Sequence, residues 1–162
     1  MTPKKILLCA DFSENSEPAQ EAALGYAKAF GAELLIIHVI HRMAFSGFEN
    51  WLVDEIKRVL ALTEEDAVAR LQKVAEECRQ QVTRVKTFCH LGLAPNEIVK
   101  VAAEESVDLI VLGTHGLSGL KHLVMGSVAR SVLRMAHRPV LIMEGPPGKG
   151  ESAEELYEFP VP

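Results

Sequence analysis

The chain has 162 residues, enough for one domain whose core buries roughly 70% of the surface an unfolded chain exposes. Its hydrophobic fraction of 48% and charged fraction of 24% are those of an ordinary globular protein, and 22 acidic residues outnumber 17 Lys and Arg to give a net charge of −5. That balance excludes a general nucleic-acid binder, which needs a basic surplus, and a polybasic membrane anchor.

Lys4–Ala10 is a short apolar run broken by Asp11-Phe12-Ser13. Without polar alternation, such a run predicts a strand covered on both faces. Its five apolar residues are too few for a signal-peptide core, and no window reaches the ~20 residues of a membrane span. A helix follows: Ser13 or Ser16 is placed to cap it, Pro18 suits its first turn, and Gly31 suits its end. Ala19, Ala22, Ala23, Tyr26, Ala27 and Phe30 form its apolar stripe.

Leu34–Ile40 is a second buried-strand pattern, and residues 41–49 read as a loop. From Asn50 to Gln81 the pattern is helical, as one kinked helix or as two, with Thr63 and Asp66 available as a cap. Val82–Cys89 predicts a third strand, poorer in apolar residues and so nearer a sheet edge. Pro95 opens a helix with Ile98, Val99, Ala102 and Ala103 on its apolar side. Asp108–Leu112 is a fourth strand, residues 113–121 a glycine-rich loop, and 126–137 a helix with Val128, Val132 and Met135 aligned. Val140–Met143 is a fifth strand, and a tail follows from residue 144 to 162. Alternating strands and helices predict right-handed βαβ units, and hence a parallel α/β sheet with helices on both faces.

In such sheets ligands bind beyond the carboxyl ends of the strands, where the strand order reverses. The loop after strand four reads Gly113-Thr114-His115-Gly116, then nine residues, then Gly126-Ser127. Glycines admit a close ligand, successive N–H groups form anion nests, and a helix start favours phosphate. Asp11 is placed to accept hydrogen bonds from ribose hydroxyls, and Val39 or Ile40 to offer backbone groups to a base. An isolated Gly-x-x-Gly is more often a plain chain turn than a binding loop.

The long spacing, together with both ends of the chain, resembles the ATP-binding universal stress proteins. Asp11-Phe12-Ser13-x-x-Ser16-x-x-Ala19 is similar to that family's opening turn. Gly126-Ser127-Val128-Ala129 leading to Arg138-Pro139-Val140-Leu141-Ile142 is similar to its closing helix and strand. The resemblance covers about residues 3–143, so residues 1–143 are expected to be the nucleotide-binding domain and 144–162 an appended tail. It implies a Rossmann-like sheet of the adenine nucleotide alpha hydrolase type, with strand order 3-2-1-4-5. It further implies ATP as ligand, with Mg or Mn held through the phosphates. Carried over by position, Asp11 meets the ribose, and the Val39 backbone meets the adenine with Ala10 close by. Gly113, His115, Gly116, Gly126, Ser127 and Val128 surround the ribose and phosphates. One departure is Cys9-Ala10 before Asp11, where some members carry Pro-Thr and so an extra hydroxyl.

The glycine and serine positions of the motif carry no Lys or Arg, and no catalytic carboxylate stands beside them. The expected role is therefore an ATP-dependent stress-response regulator. The alternatives are a slow ATPase or ATP-dependent transferase, or an interaction protein with a vestigial pocket. Val140–Met143, wholly apolar with no strand after it, predicts a homodimer across a sheet edge. His38 and His41, three apart in a strand, point to opposite faces and do not share a metal ion. His115 is expected to meet a phosphate, and His122 and His137 to lie at the surface or a helix end. Cys9, Cys78 and Cys89 are expected as small core residues; their odd number suits a reducing compartment and predicts a cytoplasmic protein. The tail holds five acidic residues against Lys149, leaving 17 acidic against 16 basic residues before it. The domain is thus close to neutral, and its acidity belongs to the tail.

Overall fold

A computed structural model describes residues 2–13, 16–41, 50–114 and 125–145. The predicted alternation is present: β1 (Lys5–Cys9), α1 (Glu17–Phe30), β2 (Glu33–His41), α2 (Asn50–Arg79), β3 (Val85–Gly92), α3 (Ala94–Glu104), β4 (Leu109–Gly113), α4 (Ser127–Met135) and β5 (Val140–Met143). The five strands form one parallel sheet in the order β3-β2-β1-β4-β5. The order reverses at β1, so a crevice opens between the β1 and β4 carboxyl ends.

Side chains alternate between the two faces of each strand, and both faces are covered. Ile6, Leu8, Leu34, Ile36 and Val111 pack with Ala19, Ala23 and Ala27 of α1 and with Leu71, Ala75 and Cys78 of α2. Leu7, Leu35, Ile37, Ile110 and Leu112 pack with α3 and with Ala129 and Val132 of α4. Each Leu or Ile side chain removed from water in this way contributes about 1.5–3 kcal/mol. The alanines on the inner face of α1 let its backbone lie close to β1.

The helix ends show which local signals operate. Gly31 takes φ 61° and ends α1, a left-handed conformation that suits a residue with no Cβ. Ser16 occupies the cap position of α1, but its hydroxyl makes no cap; it donates instead to the Ser13 carbonyl at 2.7 Å. The pattern from Asn50 onward is one continuous helix of 30 residues. The third strand starts at Val85, three residues later than its pattern predicts, and lies at the sheet edge as expected.

Two predicted stripes are wider than the buried surface. Tyr26 and Phe30 of α1 are 41% and 45% exposed and stack on each other, with 5.9 Å between ring centroids. In α4, Val132 is buried, but Val128 and Met135 are largely exposed, and the sheet is met by Ala129, Val132 and Ala136. Ala103 likewise faces out from α3. Among the three thiols only Cys78 is fully buried; Cys9 and Cys89 are half-buried. Among the described residues no helix is long and apolar enough to cross a membrane.

Candidate functional site

At the carboxyl ends of β1, β2 and β4 a cavity of about 320 Å³ opens toward the start of α4. Ala10, Asp11, Val39, Gly113, Gly126, Ser127 and Val128 all line it. These residues come from four separate segments, and the strand order alone brings them together. His115 and Gly116 lie outside the described residues. The cavity volume is at the lower end of the range for small-molecule sites.

The wall nearest α4 presents backbone N–H groups. Gly126 precedes the first turn of α4 with φ −53° and ψ 151°. Its own N–H is engaged, donating to the Thr114 carbonyl at 2.8 Å. The first intrahelical bond runs from the Arg130 N–H to the Gly126 carbonyl. The N–H groups of Ser127, Val128 and Ala129 therefore precede any intrahelical acceptor and carry the positive end of the helix dipole. Thr114 also donates its N–H to the Met143 carbonyl at 2.8 Å, tying the loop after β4 to the end of β5. Thr114 lines the cavity, a role its variable place inside the glycine motif did not signal.

The opposite wall is the turn after β1. Asp11 Oδ1 accepts hydrogen bonds from the Ser13 N–H at 2.9 Å and the Ser13 hydroxyl at 2.7 Å. This Asx turn holds the carboxylate at the cavity rim. His38 and His41 both line the cavity, and His38 Nδ1 donates to the Ala10 carbonyl at 2.7 Å. Among the described residues no group of three metal-ligating side chains occurs.

Ile37 and Leu112 of the sheet and Ile98 of α3 supply an apolar floor. Cys9 lies there too; burial and, secondarily, the Asp11 carboxylate push its thiol well above the ordinary range. Both effects favour the protonated thiol over the nucleophilic thiolate. The site offers an apolar slot, a carboxylate and a row of backbone N–H groups, which together match a base, a polyol and an anion.

Comparison with known proteins gives this arrangement a family. A profile described as the universal stress protein family matches residues 2–144. Universal stress protein MJ0531 of Methanocaldococcus jannaschii is 36% identical over 146 residues, spanning 88% of this chain and 83% of that protein. The solved structure of MJ0577, from the same organism, is 33% identical and superposes with a TM-score of 0.71, covering 88% of this chain and 96% of that one. The universal stress protein UspA from Lactobacillus plantarum has a TM-score of 0.79 at 22% identity and covers 87% of this chain and 97% of that one, a likeness of fold. With its profile match nearly end to end and relatives above 30% identity over most of both chains, this chain belongs to the universal stress protein family.

Proposed function

We propose that the cavity binds ATP and that the protein acts as a nucleotide-dependent stress-response regulator. The observation that carries this reading is the convergence on one cavity of seven residues from distant segments, each with a use for part of a nucleotide. The adenine would lie on the Ile37 and Ile98 side against the Val39 backbone. Asp11 would accept from the ribose, and the phosphates would face the N–H groups of Ser127 and Val128. His115 and Gly116 would close the phosphate loop. Mg or Mn would ride on the phosphates, since the described lining has no cage for it. Solved universal stress proteins in complex with cAMP and with dAMP share this fold at 22% and 20% identity, which supports a fold with room for an adenine nucleotide.

Binding rather than turnover is favoured by the lining. Among the described residues it holds no Lys or Arg to stabilise a leaving phosphate, and Asp11, its one carboxylate, is already held by Ser13. Lys121, in the spacer of the glycine motif, lies outside the described residues. Single-turnover phosphate release in the ordinary enzyme range of about 1–1000 per second would replace the regulator reading with that of an ATPase.

The strand β5 supports a homodimer. It is the last strand of the sheet, and all four of its side chains are only partly buried. The carbonyls of Pro139 and Met143 face β4, accepting from Ile110 and Thr114. By alternation, the N–H groups of Val140 and Ile142 point away from the sheet, open to an antiparallel copy.

The nucleotide reading is tested by denaturing the purified protein and identifying released small molecules by mass spectrometry. An adenine nucleotide near one per chain is expected. Its absence, with no calorimetric response to added ATP, leaves the interaction-protein reading with a vestigial pocket.

A further inference from the structure

The turn Ala10-Asp11-Phe12-Ser13 is held from the neighbouring strand by one side chain. His38 Nδ1 lies 2.7 Å from the Ala10 carbonyl oxygen, which only accepts, so this nitrogen carries the proton. The same imidazole stacks on Phe12, with 4.3 Å between ring centroids and 25° between planes. Phe12 has φ 60°, a left-handed conformation that a bulky residue keeps only when its surroundings enforce it. The Ala10 N–H meanwhile donates to the Ile37 carbonyl at 2.9 Å. β2 therefore grips the residues on both sides of Asp11. With Oδ1 taken by Ser13, Oδ2 is the carboxylate oxygen without a partner among the described residues.

We infer that His38 is a positioning residue that sets the sugar preference of the site, holding Asp11 where its Oδ2 accepts from both hydroxyls of a ribose. The inference rests on the nucleotide reading above. A 2′-deoxyribose lacks one of the two donors, so an Asp11 held in register discriminates between the sugars. The helix start proposed to face the phosphates belongs to a different element, whereas the hydrogen bond and ring stack of His38 go to Ala10 and Phe12. Loss of the His38 clamp should therefore erase sugar discrimination and leave the phosphate contacts intact. A purely structural role would weaken both nucleotides alike.

The test is calorimetric titration of the full chain with ATP and with 2′-deoxyATP. It uses the unaltered protein, His38→Phe (ring stack kept, donor lost), His38→Asn (donor kept near Nδ1, ring lost) and Asp11→Asn. The unaltered protein should prefer ATP by about tenfold, the scale of one hydrogen bond to a charged group. His38→Phe should bring the two affinities together, with a loss for ATP about tenfold larger than the loss for 2′-deoxyATP. His38→Asn should keep most of the preference, and His38→Phe should add nothing to Asp11→Asn. If His38→Phe does not fold, His38→Leu, which also lacks the donor, should lower the preference in its place. Equal affinities in the unaltered protein, or an equal loss for both nucleotides in the variants, would overturn the inference and leave nucleotide binding standing. If the unaltered protein binds neither nucleotide, the nucleotide reading fails and takes this inference with it.

Discussion

The two ends of the sheet are built from different materials. At the amino ends of the strands, charged side chains lock the backbone. Asp108 Oδ2 accepts from the N–H groups of both Lys4 and Lys5 at 2.8 and 2.9 Å. Lys5 Nζ donates to the Glu105 carbonyl, Arg138 to the Val107 carbonyl, and Lys86 pairs with Glu105 at 2.6 Å. At the carboxyl ends the described lining is small and apolar residues, two histidines, backbone groups and a single carboxylate around a cavity. One end closes the structure, and the other leaves N–H groups and a slot for something else to fill. Stability and ligand binding should therefore respond to different substitutions.

The largest expected effect lies on the edge that joins the two ends. Ile142→Pro removes a donor that points away from the sheet and leaves the bonds from β5 to β4 in place. Light scattering should show the mass fall to that of one chain; an unchanged mass would count against the β5 dimer. Next comes the closed end. Asp108→Ala strips the acceptor from two N–H groups and should cost about 1.5–3 kcal/mol in urea unfolding, with ATP affinity unaltered. The open end should behave in reverse. Asp11→Asn keeps an oxygen for Ser13, so stability should hold within about 0.5 kcal/mol. ATP affinity should nonetheless drop about tenfold, for want of a charged acceptor. If Asp108→Ala weakened ATP binding as much as Asp11→Asn, the division between the ends would collapse.

The smallest effect concerns pH. Burial, foremost, raises all three thiols above their ordinary range, so the folded chain holds protons that the unfolded chain releases. Stability from this source is complete below about pH 8.5, the ordinary thiol pKa, and declines as pH rises beyond it. Cys9→Ala should flatten that alkaline slope in denaturation curves taken between about pH 8 and 10. A slope as steep as that of the unaltered chain would show that Cys9 ionises as readily folded as unfolded.

Much of this contrast is legible from residue order. Apolar runs bounded by Asp11, Gly31 and Gly113 mark strands and helix ends, because a parallel strand buried on both faces lacks polar alternation and a left-handed stop favours glycine. The strand order came from the family resemblance, since periodicity says which residues are buried but not which strands are neighbours. The same limit explains Tyr26, Phe30, Val128 and Met135: a helical stripe shows a face, and only the width of the sheet beneath decides how much of that face is covered. In the site, Asp11, Gly126 and Ser127 stand out by type and spacing. Thr114 and the His38–Ala10 contact do not, because they act through hydrogen bonds between residues far apart in the chain, from Thr114 to Gly126 and Met143 and from His38 to Ala10.

The most direct test of the account is a calorimetric titration of nucleotide-free, full-length protein with ATP in the presence of Mg, repeated with Ser127→Pro. Proline fits the first turn of a helix but removes the leading N–H of the proposed phosphate wall. The account predicts one ATP per chain for the unaltered protein, and at least about a tenfold loss in the variant at unchanged melting temperature. Tight binding that is indifferent to this substitution would contradict it, as would no binding at all.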